Sequence, residues 1–137
     1  MFPISTNMAG DCAAFPDVCL TPSPGGPVPI PYPNLAMLVQ GNLSTFSSKV
    51  KVLNMNVATV KSEIMMSSGD EPGVVGGVVS GVFKGPAKFI KGSSKVFAEG
   101  AMVAYHTTLI CQNGVSNGNI PPGVQVSPSQ TKVTVMP

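Results

Sequence analysis

The chain has 137 residues, 43% apolar and only 10% charged, with eight lysines, no arginine, six acidic residues and a net charge of +2. A charge this small and dispersed argues against nucleic-acid binding, and low charge with positive mean hydropathy argues against disorder. No run approaches the ~20 apolar residues of a membrane span, and the N-terminus carries no Lys or Arg before Lys49, so no secretory signal is expected.

The length suits one domain, residues 1–137, with a modest core. Sparse charge also suggests that a partner covers part of the apolar surface. Residues 1–14 are small and polar, and read as a loop or short strand. Phe15 to Asn34, FPDVCLTPSPGGPVPIPYPN, holds half of the chain's 14 prolines. Proline fixes φ and removes a backbone donor, which excludes helix and the inside of a sheet. Pro27 to Pro33 therefore reads as an extended, polyproline-II-like strap. Val28, Ile30 and Tyr32 alternate with the prolines, a pattern suited to a strap laid against a core. Next, Asn34 is placed to cap a short helix over Leu35 to Val39, ended by Gly41.

From Ser47 the chain reads as β. Ser48-Lys49-Val50-Lys51-Val52 alternates polar and apolar, Asn54-Met55-Asn56 is turn-like, and Val57 to Val60 resumes extended structure. The pattern returns at Ser94-Lys95-Val96-Phe97-Ala98, with Glu99-Gly100 as turn and Ala101 to Tyr105 as return. A third copy, Thr131-Lys132-Val133-Thr134-Val135, ends the sequence. Three related β units in one chain are expected. Between the first two, Gly69 to Gly92 reads as tight loops or closely packed backbone with room for one helical turn, with Asp70-Glu71-Pro72-Gly73 a turn and Lys84, Lys88 and Lys91 a solvated face. Cys111 to Gly123 reads as a long turn-rich loop.

Cys12, Cys19, His106 and Cys111 are four soft or borderline ligands, the number a structural zinc takes, although neither close pair has C-x-x-C spacing. The bland alternative is three buried thiols and an ordinary histidine. A Cys–His nucleophile lacks an orienting third group, and no G-x-S-x-G, H-E-x-x-H or phosphate-binding glycine loop is present.

Several stretches together resemble one family. F-P-D-V-C-x-T-P followed by P-x-P-I-P-Y-P-N, then Ser68-Gly69-Asp70-Glu71-Pro72-Gly73, Gly76-Gly77-Val78-Val79-Ser80-Gly81 and Pro128-Ser129-Gln130-Thr131-Lys132-Val133, resemble the PAAR-like spike-tip proteins of type VI secretion systems. The resemblance implies a mostly β, short conical fold with a pseudo-three-fold repeat and few helical turns. It also implies a structural, non-enzymatic role capping the trimeric VgrG spike. Better-known PAAR proteins hold a metal near the tip with His and Cys ligands, so zinc on Cys12, Cys19, His106 and Cys111 is the implied cofactor, although this chain has one histidine where that type uses mostly histidines. Lys49, Val50 and Val52, Lys95 and Val96, and Lys132, Val133 and Val135 are the candidate spike-binding positions. The implied partners are VgrG and a non-covalently held toxin effector or adaptor, with transient contact at a target membrane. The protein would wait in the cytoplasm and leave through the secretion machine. Because Pro137 directly follows the last strand, no fused toxin domain is expected. A small metal- or thiol-dependent enzyme, and a Pro-rich binding module, are the alternatives.

Overall fold

The computed structural model describes residues 1–114, 119 and 123–137. Among these residues the protein is mostly β, and the helical content is two 3-10 turns, Leu38–Gln40 and Leu43–Thr45. Among the described residues no helix is long and apolar enough to cross a membrane.

The described residues form thirteen strands in chain order: β1 Phe2–Pro3, β2 Asp11–Thr21, β3 Val28–Met37, β4 Lys51–Val52, β5 Met55–Asn56, β6 Glu63–Ile64, β7 Gly76–Gly77, β8 Ala87–Phe89, β9 Phe97–Ala98, β10 Ala101–Met102, β11 Leu109–Cys111, β12 Gly123–Gln125 and β13 Thr134–Val135. The main sheet has the order β3-β2-β12-β11-β8-β6, with β7 also paired to β2, and every pairing is antiparallel.

The proline-rich segment is extended, but it is the edge strand β3 rather than a strap on the core. Val28 is 42% exposed and Ile30 36%, which corrects the expectation that they pack inward. The spacing of the prolines explains the position. Successive residues of a strand aim their N–H and C=O groups to opposite sides, so Pro29, Pro31 and Pro33 all place their missing donor on one edge. Val28, Ile30 and Tyr32 face β2, opposite Thr21, Cys19 and Asp17. At Leu35 the same outer edge regains a donor. There Leu35 and Ser68 exchange backbone hydrogen bonds of 2.7 and 2.8 Å.

Nor is there a helix over Leu35 to Val39. Asn34 to Met37 continue β3, opposite Ala14, Ala13, Cys12 and Asp11, and only Leu38–Gln40 turns. Five residues cannot offset the cost of nucleating a helix, whereas β2 already offers an unpaired ladder. Gly41 has φ −66°, so it does not form the left-handed helix end expected of it.

Three small sheets lie apart from the main one: β4-β5, β9-β10 and β1-β13. In the first two, the paired residues Val52 and Met55, and Ala98 and Ala101, flank two-residue turns. Both turn residues have positive φ, at Leu53 (52°) and Asn54 (63°), and at Glu99 (50°) and Gly100 (79°). These are the type I′ turns that match strand twist. In the third sheet the two strands come from opposite ends of the chain, Phe2 against Val135 and Pro3 against Thr134.

Backbone bonds connect these sheets in a closed cycle. Ser5 N–H donates to Ala104 O (3.0 Å), Ala104 N–H to Ala58 O (2.9 Å), and Ala58 N–H to Ser5 O (2.9 Å). Two residues on, Asn7 donates to Asn56 O, Val60 to Met102 O and His106 to Pro3 O. Bridges between Thr6 and Val57, Thr59 and Val103, and Tyr105 and Ile4 follow the same cycle. Within each pair of strands, Val57, Val103 and Ile4 donate to Val50, Val96 and Val133. A polar side chain then caps each incoming strand. Ser47 Oγ accepts from Val50 N–H, Ser93 Oγ from Lys95 and Val96, and Gln130 Oε1 from Lys132 and Val133.

Two apolar cores follow from this layout. One joins the main sheet to the small ones through Cys12, Ala36, Leu38, Phe46, Ala58, Ile64, Ala87, Phe89, Ala104 and Ile110. The other lies among the three small sheets: Ile4, Val52, Val57, Ala98, Val103, Tyr105 and Val135, flanked by Phe2 and Val96. Phe2 and Tyr105 stack with ring centroids 5.5 Å apart. The long loop expected from Cys111 to Gly123 lies partly outside the described residues, at 115–118 and 120–122.

A buried carboxylate and thiol centre

The far half of β2 supplies a polar interior. Before Phe15 the inward residues of β2 are Cys12 and Ala14; after Pro16 they are Asp17 and Cys19. A β-bulge causes the change of parity. The pairing register with β3 shifts between Ala14 and Asp17, so Phe15 and Pro16 together oppose Pro33. Asp17 and Cys19, two residues apart, then share the inner face, both with no exposed surface.

Asp70 joins them from the turn after Ser68. Gly69 permits the turn with φ +126°, and a Cβ there would stand 2.1 Å from Pro33 O. One ligating atom each from Asp17, Cys19 and Asp70 fall within 4.8 Å of one another, the one such group among the described residues, and all three are buried.

Amide side chains and backbone N–H groups surround the trio. Asn34 Nδ2 donates to Asp17 Oδ2 (2.9 Å), and Asn113 Nδ2 donates to both Asp17 oxygens (3.2 Å each). Asn119 Nδ2 donates to Asp17 Oδ1 and to Val18 O. The same Asn113 and Asn119 nitrogens lie 3.6 and 3.8 Å from the Cys19 sulfur. Both Asp70 oxygens accept from Lys84 N–H at 3.1 Å. The asparagines are themselves held from behind. Asn113 Oδ1 accepts from Gly85 N–H, and Asn119 Oδ1 from Val79 and Ser80. Asn34 differs: its Oδ1 is buried without a partner.

Burial, followed by the charges of Asp17 and Asp70, pushes the Cys19 thiol up to about 12. Asp70 is raised to about 6, chiefly by burial, with the contact to Asp17 adding to it and the Lys84 N–H opposing it. Among the described residues no cation balances either carboxylate: Lys84 Nζ reaches Glu71 at 3.8 Å and Lys88 Nζ reaches Glu63 at 4.0 Å.

Of the four residues expected as metal ligands, only Cys19 lies here. Cys12 is in the apolar core, its thiol pushed up to about 12 by burial. Six residues of strand separate it from Cys19, roughly 20 Å. Half-buried His106 places Nε2 3.2 Å from Val126 O, and Cys111 Sγ donates to Gly114 O at 3.3 Å. No three of the four gather. Sequence reasoning treated Asp70 as turn chemistry and passed over Asp17. The available signal was the Asp-x-Cys spacing on one strand face, together with asparagines at positions that the fold brings inward.

The spike-facing candidates divide. Val52 and Val135 are buried in the second core, 9% and 6% exposed. Lys49, Lys95, Lys132, Val50 and Val133 are exposed and Val96 is half-buried.

Comparison with known proteins places the chain in a family. Residues 10–122 match the Toxin PAAR-like domain, and the protein belongs to that family. Among individual relatives it is similar to the DNase toxin Tse7 of Pseudomonas aeruginosa, with 37% identity over 119 residues. That match covers 80% of this chain but 30% of the relative, so the chain spans under a third of that protein's length. No solved structure matches.

Proposed function

We propose that this protein is the non-catalytic tip of a type VI secretion spike, seated on the blunt end of a VgrG trimer. One observation carries the reading: the closed cycle of backbone hydrogen bonds among Ser5, Ala58 and Ala104. Three segments that each donate to the next and accept from the last are related, to a first approximation, by a three-fold rotation. A homotrimer presents the same surface three times, and a single chain matches it by presenting three similar edges. The base would be the outer strands of the small sheets. Lys49, Val50, Lys95, Val96, Lys132 and Val133 offer contacts there, while Val52 and Val135 hold the strands together from inside. Pairing with the spike would also cover edges that invite aggregation in a lone chain.

The main sheet would then form the body of a short cone, pointed away from the spike. Its task is mechanical: to lead the spike through a target membrane when the machine fires. Export by that machine from the cytoplasm requires no signal sequence. The buried, raised thiols of Cys12 and Cys19 are the opposite of an activated nucleophile, which supports a role without catalysis. The relative's name joins this family to a DNase toxin, and we assign the shared segment to delivery of such an effector, held directly or through an adaptor. Exposed Val74, Val75, Val78, Val79, Val82 and Phe83 leave apolar surface for cargo.

Co-purification with a VgrG trimer tests the assignment. The full chain should be retained, and a chain ending at Gln130 should be lost. Equal retention of the two would remove the third strand from the base.

A further inference from the structure

The three small sheets repeat one backbone arrangement, but the side chains at their junctions do not repeat. The bridges Thr59–Val103, Tyr105–Ile4 and Thr6–Val57 occupy equivalent positions of the cycle. Two residues before Val103, Ile4 and Val57 stand Ala101, Phe2 and Met55. Each lies on the same face as the bridged residue, diagonal to Thr59, Tyr105 and Thr6 respectively. At the second junction that diagonal is filled by two stacked rings, Phe2 and Tyr105, with centroids 5.5 Å apart. At the third, Met55 supplies a long, adaptable side chain beside Thr6. At the first, the pair is Thr59 and Ala101, the smallest of the three combinations.

The missing bulk leaves a space. A cavity of about 250 Å³ opens between residues 44–47, Thr59 and Lys61, and the hairpin tip at Ala98, Glu99 and Ala101. A space of about 150 Å³ already holds a benzene ring, whereas pockets for drug-sized ligands start at about 300 Å³. One ring fits, and a nucleotide does not. The lining is mixed: Phe46 and Ala101 are apolar, while Ser47, Thr59, Lys61 and Glu99 carry polar groups. Glu99 is anchored in place. Ser48 N–H donates to its Oε2 at 3.0 Å, and a hydrogen bond from Ser47 holds its carboxyl below the ordinary carboxylate range. An ionised acceptor fixed at the cavity wall favours a ring that carries a donor.

We propose that this cavity binds one aromatic ring bearing a hydrogen-bond donor, of the phenol class, and so completes at the first junction the ring packing that Phe2 and Tyr105 supply at the second. A tyrosine side chain of a partner protein and a free phenol present the same chemistry. A spike trimer is a poor source, because it offers each group three times and the second junction is already filled from within. The site does not depend on the spike reading, since a chain that failed to bind VgrG would keep the cavity.

Titration of the isotope-labelled full chain with p-cresol, followed by heteronuclear NMR, tests the assignment. Saturable shifts should centre on the amides of Ser47, Thr59, Ala98 and Ala101, with a Kd on the order of 1 mM. Anisole, an isomer without a donor, should bind about tenfold more weakly, the discrimination expected of a hydrogen bond to a charged acceptor. Glu99→Gln should narrow that gap. Ala101→Phe should abolish the p-cresol shifts, because it places a ring where Phe2 stands at the second junction, and should keep or raise the Tm. N-acetyltyrosinamide distinguishes the sources: tighter binding than p-cresol points to a chain-borne tyrosine, weaker binding to a free phenol. If p-cresol gives no saturable shifts up to ~10 mM, the assignment is overturned. It is equally overturned if anisole binds as well as p-cresol, or if folded Ala101→Phe keeps the shifts. The wild-type titration decides even if a variant fails to fold.

Discussion

Replacing Ile4 by alanine tests whether the first residues of the chain belong to the second core. Ile4 is 4% exposed and packs in one cluster with Val52, Val57, Ala98, Val103, Tyr105 and Val135. Its backbone N–H bonds Val133 O at 3.0 Å, and its carbonyl accepts from Gln130 Nε2 at 3.0 Å. The substitution leaves those bonds in place and removes only packed side chain. Buried Ile→Ala changes cost about 2–5 kcal/mol, and the rigid surroundings of three small sheets argue for the middle of that range, about 3 kcal/mol. For a domain of this size, that is a fall in Tm of about 10 °C. Ile90→Ala is the control, because Ile90 is 50% exposed and its truncation should cost about 0.5 kcal/mol or less. Thermal melts and urea titrations of both variants give the comparison. If Ile4→Ala melts within a degree or two of Ile90→Ala, the terminal strand is not docked and the cycle of sheets does not close in solution.

Other outcomes follow from the same contacts. Gln130→Ala removes the acceptor for Lys132 and Val133 N–H and the donor to Ile4 O and Val133 O, and chemical denaturation should register a loss of about 2–3 kcal/mol. Gly69→Ala should be markedly worse than an ordinary glycine replacement, since φ +126° strains any side chain and the new Cβ meets Pro33 O at 2.1 Å; little soluble protein, or a Tm loss well beyond 5 °C, is expected. A thiol pushed up to about 12 by burial leaves Cys12 almost wholly protonated at neutral pH, so it should resist alkylation in the folded protein and react after denaturation, read by mass spectrometry.

Parts of this architecture are legible in the residues. The triplets Ser48-Lys49-Val50, Ser94-Lys95-Val96 and Thr131-Lys132-Val133 mark three segments whose final valines accept equivalent backbone bonds, and Glu99-Gly100 is a turn by composition and by φ. The prolines correctly exclude helix and the interior of a sheet. Their apolar neighbours mislead, because alternation identifies two faces of a strand without saying whether either is covered. Leu35 to Val39 has helical composition, yet pairing with β2 outweighs so short a local preference. The polar centre was hidden by the bulge at Phe15-Pro16. Strict alternation places Cys12 and Cys19 on opposite faces of β2, and one extra residue brings Asp17 and Cys19 inward. Grouping cysteines with the lone histidine relied on chemical type, while the fold separates Cys12 from Cys19 along one strand and brings Asp70 to Cys19 from a distant turn.

Native mass spectrometry of the protein mixed with an excess of its VgrG trimer gives the most direct test. A single chain with three equivalent edges should occupy the whole end of the spike, so the complex should contain one copy per trimer and take up no more as its concentration rises. Three copies per trimer would mean that each subunit binds its own chain, and the proposed three-fold base would be wrong.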